Sequence, residues 1–138
     1  MRHISDGNCQ KCEEIFNKYP NFNPILKEWF KEFQKDNHEA HISCAGRGRD
    51  DQTKAYDERK SKAQWGDSAH NYGCAIDIFC QATGLDIYDA YFFKKVEYAL
   101  TYDFTWYGVR GSAFYELPHV ELSTWRDLLK SGQIRLVE

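Results

Sequence analysis

The sequence lacks any apolar run approaching the roughly 18 residues that mark a membrane-spanning helix, and its mean hydropathy is −0.71. Membrane insertion is therefore not expected. Neither charge sign is in large excess: 18 Lys+Arg face 21 Asp+Glu, for a net charge of −3. The electrostatic footprint of a nucleic-acid binder is missing, so nucleic acid is not expected as a partner. Proline is scarce, and Pro20, Pro24 and Pro118 do not cluster into a linker. Fixed-period repeats and low-complexity tracts are absent too. These absences favour one continuous domain over 1–138, a length that buries an adequate core without disulfides or a partner chain. A monomer is the corresponding expectation. No apolar stretch follows the basic residue in the opening Met-Arg-His-Ile-Ser-Asp-Gly-Asn, so the expectation is synthesis in the cytoplasm without a signal peptide. Five cysteines, an odd count at 9, 12, 44, 74 and 80, then read as reduced thiols rather than a disulfide framework.

What the chain does have is core material: 42% hydrophobic residues and 16% aromatic ones, which exclude a disordered chain. Asn23-Pro24 supplies an N-cap and a first-turn proline, and Ile25, Leu26, Trp29, Phe30 and Phe33 follow at helical spacing. Further helices are expected from Asp50 or Asp51 to Lys60, from Asp86 to about Thr101, and from a Ser123 cap to Gly132. Strand character marks Ala40–Ala45, Gly73–Cys80, Phe104–Tyr107 and His119–Leu122. Helices and strands do not alternate strictly, which argues for an α+β fold: a small antiparallel sheet with helices packed on one face.

Ser68-Ala69-His70-Asn71-Tyr72-Gly73-Cys74-Ala75-Ile76-Asp77 places a histidine seven residues before an aspartate. Asp77 lies within an apolar strand, where a carboxylate is costly unless paired or coordinated. Strand alternation puts Ala75, Asp77 and Phe79 on one face and Cys74, Ile76, Ile78 and Cys80 on the other. The partners expected for Asp77 are an imidazole from the preceding loop and a metal ion that both bind. A catalytic zinc site needs a third protein ligand and an open position. Among the other histidines, His3, His38 and His41 have poorer contexts than His119. That residue is held by Pro118 at a strand start, with Glu116 three residues earlier, within reach of a water without being a ligand.

Ser68, His70, Gly73, Ala75 and Asp77 fill all five fixed positions of S-x-H-x-x-G-x-A-x-D, a coincidence expected roughly once in a million starting points at ordinary residue frequencies. In this the chain resembles the zinc peptidases that include VanY-like D-alanyl-D-alanine carboxypeptidases and the L-alanyl-D-glutamate peptidases of phage endolysins. Glu116-x-x-His119 resembles their second element, Trp106-Tyr107-Gly108 their Trp-Gly segment, and Ile42 to Arg47 with Gln52 their strand, arginine and following helix. The resemblance spans about residues 40–125. It implies the fold shared with the hedgehog signalling domain, and Zn2+ held by His70, Asp77 and His119. It further implies Glu116 as catalytic base and Arg47, with Arg49 as the alternative, stabilising the transition state. Ser68 and Gln52 are the substrate-binding candidates, Ser68 with the alternative of bracing the loop that presents His70. The implied substrate is a peptidoglycan stem peptide of the bacterial cell wall. An L-Ala-D-Glu endopeptidase of endolysin type is favoured; a D-Ala-D-Ala carboxypeptidase and a non-catalytic zinc-stabilised binding module are the alternatives.

Other features read more plainly. Cys9-x-x-Cys12, with His3 nearby, has the form of a second zinc site or a redox pair, but it offers only two thiol ligands and no second pair at zinc-ribbon spacing, so reduced structural or surface thiols are expected. Cys44, Cys74 and Cys80 read as small buried hydrophobes. Trp65 is expected to pack, with lining of a substrate groove as the alternative. Glu121 shares His119's strand face and reads equally as support for that ligand or as an exposed strand carboxylate.

Overall fold

Asn23 does cap the first strongly amphipathic helix, its side chain accepting the Leu26 amide at 3.0 Å with Pro24 in the first turn. We describe a computed structural model over residues 9–81, 90–108 and 116–138. Its helices are α1 (Gln10–Phe16), α2 (Pro24–Asp36), α3 (Arg49–Asp57), α4 (Ala90–Ala99) and α5 (Trp125–Lys130). Its strands are β1 (Ala40–Cys44), β2 (Ala75–Cys80), β3 (Phe104–Tyr107) and β4 (Glu116–Leu122), paired antiparallel throughout in the order β1-β2-β4-β3. This is the expected α+β fold. Among the described residues, no helix is long and apolar enough to cross a membrane.

The apolar face of the sheet carries Ile42, Ile76, Ile78 and Val120, all fully buried. Aromatic packing joins it to the helices: Trp29 of α2 lies 5.4 Å from Phe104, Phe33 of α2 meets Phe92 of α4, and Phe93 stacks on Trp106. Strand alternation then commits Asp77, His119 and Glu121 to the opposite face.

Several boundaries differ from expectation for local reasons. Helix α1 was not anticipated; its seven residues are too few for a periodic signal, and Cys9 caps it by accepting the Cys12 amide. Helix α3 stops short of Lys60 because Arg59 takes a left-handed backbone at φ 61°. The expected start of α4 at Asp86 lies outside the described residues. Ser123 does not cap α5: the cap position is Thr124, while the Ser123 hydroxyl pairs with that of Thr105 at 2.7 Å. The helix nevertheless ends as expected before Gly132, at φ 76°. No disulfide joins the five cysteines in the structure, and Cys44 is not the buried hydrophobe expected but is partly exposed.

Candidate active site

The Ser68–Asp77 segment does not run straight into its strand. Residues Ala69–Tyr72 form a turn of 3-10 helix capped by Ser68, whose hydroxyl accepts the His70 amide at 3.2 Å. Gly73 ends the turn at φ 68°, and a Cβ there would stand 2.9 Å from the Phe22 backbone. Only glycine satisfies both conditions without strain. The chain then enters β2, where ladder register sets Asp77 directly opposite His119 of β4. The short turn returns His70 over the same face.

Asp77 is brought between the two imidazoles as a result. Asp77 Oδ1 lies 3.3 Å from His70 Nε2 and 3.5 Å from His119 Nδ1. For ligands about 2.0–2.2 Å from a tetrahedral zinc, geometry requires donor–donor edges of about 3.3–3.6 Å. The two edges through Asp77 have that length. Orientation of the imidazoles also fits. His70 Nδ1 faces the Ala45 carbonyl at 2.8 Å, an acceptor only, so its proton sits there and Nε2 is left for the metal side. His119 Nε2 meets Glu121 Oε1 at 2.8 Å, which leaves Nδ1 for Asp77 and the same centre.

Cys44 lies opposite Asp77 on the other neighbouring strand, and its sulfur, a His70 nitrogen and an Asp77 oxygen come within 4.8 Å of one another. Its contact is nevertheless with His70 Nδ1, at 3.7 Å, the nitrogen already committed to Ala45. The thiol thus meets the imidazole at the nitrogen that faces Ala45 and not at Nε2.

Burial and charge act together on these groups. Burial alone would raise the Asp77 pKa, but the His70 and His119 imidazoles hold it far below the usual carboxylate range. Burial opposes a charged His70, yet Asp77 and Cys44 outweigh it and raise its pKa well above normal. His119 is raised against its own burial by Asp77 and Glu121. Glu121 is lowered despite burial, chiefly by His119, because Tyr107 and Trp125 also donate to it at 3.1 and 2.7 Å.

Arg47 reaches the other Asp77 oxygen at 3.3 Å, whereas Arg49 is exposed and donates its backbone amide to Glu138 at 2.9 Å. Arg47, not Arg49, thus belongs to the cluster. Gln52 is fully buried behind it, accepting from Arg47 at 3.1 Å and donating to Ser61 and the Ala63 carbonyl. With no surface on the cavity, Gln52 braces Arg47 in place of the substrate contact expected of it. Asn71 completes this frame and was missed in the sequence: its carbonyl accepts the Gly66 and Ser68 amides, and its amide donates to Arg47 O and Gln52. Its signal was available, since Ser-x-x-Asn has the form of a capping box.

The cluster opens into a cavity of about 840 Å3, whose wall includes Ser68, Tyr107 and the cations Lys60, Lys62 and Arg126. Trp65 is half-buried and does not line it. Glu116 is the first residue of β4, opposite Tyr107; its side chain lies outside the described part of the structure. Between Trp106 and Tyr107 the register jumps from Val120 to Glu116, so the β3–β4 ladder skips residues 117–119 while His119 stays paired with Asp77 on the β2 side. Counting alternate residues from His119 therefore does not set the face of residue 116.

Fold and site together define an α+β domain whose open sheet face carries an aspartate paired with two histidines. Among solved structures, the chain resembles the L-Ala D-Glu endopeptidase ChiX of Serratia marcescens, with a TM-score of 0.67 and 17% sequence identity over 86% of this chain and 90% of that one. No protein-family model and no curated protein matches the sequence.

Proposed function

We propose that the protein is a zinc-dependent peptidoglycan peptidase that hydrolyses the L-Ala-D-Glu bond of stem peptides, a monomeric enzyme of phage endolysin type acting on the bacterial cell wall. The observation that carries this reading is that Asp77 Oδ1 stands 3.3 Å from His70 Nε2 and 3.5 Å from His119 Nδ1 at the wall of an open cavity. The endopeptidase with a similar fold supports the choice of bond.

His70, Asp77 and His119 would hold the zinc, which supplies Lewis acidity to the scissile carbonyl and to the attacking water. Glu116 takes the proton from that water and returns it to the leaving amine. Arg47, braced by Gln52 and Asn71, presents its guanidinium beside Asp77 and stabilises negative charge developing on the carbonyl oxygen. Stem peptides carry free carboxylates, and Lys60, Lys62 and Arg126 on the wall provide charge to receive them. Ser68 lines the cavity as well as capping the turn, so its two expected roles are compatible.

Digestion of purified sacculi tests this. Wild-type enzyme should generate new N-terminal D-Glu, and Glu116→Gln should generate little. Free D-Ala as the product would instead establish a carboxypeptidase. Release of neither product by a zinc-loaded protein would leave the non-catalytic binding module.

A further inference from the structure

The pair Cys9 and Cys12 provides only two ligands along the sequence, but the fold adds a third. Helix α1 packs on β1 and brings both thiols to His41, with the three residues buried and one ligand atom from each within 4.8 Å of the others. Cys12 Sγ lies 3.5 Å from His41 Nδ1. Bonds of about 2.3 Å to sulfur and 2.0–2.1 Å to nitrogen give a tetrahedral S···N edge of about 3.6 Å. The spacing is that of two ligands sharing one ion.

The hydrogen bonds around the cluster hold its ligand atoms in place. Cys9 Sγ accepts the Cys12 amide at 3.2 Å, and Cys12 Sγ faces Gln34 Nε2 at 3.7 Å. Burial pushes the Cys12 thiol pKa up to about 12, so an ion binding there displaces its proton. Gln34 Nε2 is anchored on the Ala40 carbonyl at 2.8 Å and stands 3.5 Å from His41 Nδ1. An amide nitrogen has only hydrogens to present, so the imidazole nitrogen facing it and Cys12 carries a lone pair. Two thiolates, a neutral imidazole and a divalent ion sum to zero charge, which suits a buried site. On its outer side the pair borders a cavity of about 280 Å3, also lined by Glu13, Lys31 and Lys35, which leaves room for a fourth ligand such as water.

We propose that Cys9, Cys12 and His41 form a second metal site that takes a thiophilic divalent ion, zinc foremost, and fastens α1 to edge strand β1. It shares no residue with the His70, Asp77 and His119 cluster. Thiolate and imidazole ligands select zinc over magnesium or calcium, and the ion joins segments 29 residues apart in sequence.

Cobalt(II) titration of the reduced, full-length chain tests the proposal, because thiolate–cobalt bonds give an intense near-ultraviolet charge-transfer band that nitrogen and oxygen ligands do not. The His70→Ala/His119→Ala variant should bind one equivalent with that band. Cys44→Ala added to it should leave the band unchanged, and Cys9→Ser/Cys12→Ser should abolish it. Wild type should take two equivalents, only one of them accompanied by the band, and zinc should displace both. Should either substituted chain fail to fold, the wild-type titration decides. A band that is absent, or that follows Cys44 instead, overturns the proposal. So does a Cys9–Cys12 disulfide that forms in air in preference to cobalt uptake.

Discussion

Replacing Glu121 tests support of the proposed metal site separately from its proposed ligands. Its carboxylate is buried and accepts from three side chains: His119 Nε2 at 2.8 Å, Trp125 Nε1 at 2.7 Å and Tyr107 Oη at 3.1 Å. In Glu121→Ala the Trp125 and His119 donors lose their buried acceptor, while Tyr107, partly exposed, can turn to water. At about 1–3 kcal/mol for each buried group left unsatisfied, the loss is about 3 kcal/mol. A chain of this length melts with an entropy of roughly 0.3 kcal/mol per kelvin, so Tm should fall by about 10 °C. Glu121→Gln retains an acceptor oxygen and should cost less stability. It no longer holds His119 with a full charge, and loss of such a partner typically weakens metal binding about 10–100-fold. The assays are thermal unfolding by circular dichroism and zinc competition against a chromophoric chelator. Wild-type zinc affinity in Glu121→Gln, with fold intact, would refute the argument that Glu121 orients His119 for a metal.

Glu116→Gln should keep zinc and stability while hydrolysis falls about 10²–10⁴-fold, since it removes a base and no ligand; loss of zinc on elemental analysis would make Glu116 a ligand instead. His119→Ala should lose both zinc and activity, because two protein ligands remain. Gly73→Ala should destabilise by about 2–3 kcal/mol, from left-handed strain and the contact with Phe22, readable in urea unfolding. For the metal-free protein the pH dependence has two arms. Asp77 is lowered by His70 and His119, so its contribution is complete above the unfolded carboxylate pKa near ~3.9 and fades as pH falls toward its folded value. His70 and His119 are raised, so theirs is complete below the unfolded imidazole pKa near ~6.5 and fades as pH rises through the folded values. Metal-free stability should therefore be greatest between about pH 4 and 6.5, and zinc uptake should strengthen with pH as it displaces imidazole protons; flat urea midpoints between pH 4 and 8 would contradict the cluster's charge coupling.

Elements with short-range signals were legible from the residues alone. Asn23-Pro24 and the aromatic stripe behind it specify α2, because capping and helical period act within a few residues. The apolar run around Asp77 specifies a strand that must give its carboxylate partners. The pairing of Asp77 with His70 and His119 was expected from residue type, since a carboxylate in an apolar strand needs partners. Which atoms meet depended on how distant segments pack. Register placed His119 rather than another histidine beside Asp77, and the Ala45 carbonyl determined which His70 nitrogen faces it. Gln52 passed from substrate candidate to brace because packing of α3 buried it. The role of Cys9 and Cys12 was illegible for the same reason. Their third neighbour, His41, is 29 residues away and reaches them only when α1 packs on β1. Local sequence encodes propensity and ligand type, whereas proximity between distant segments arises from the shared burial that folds them together.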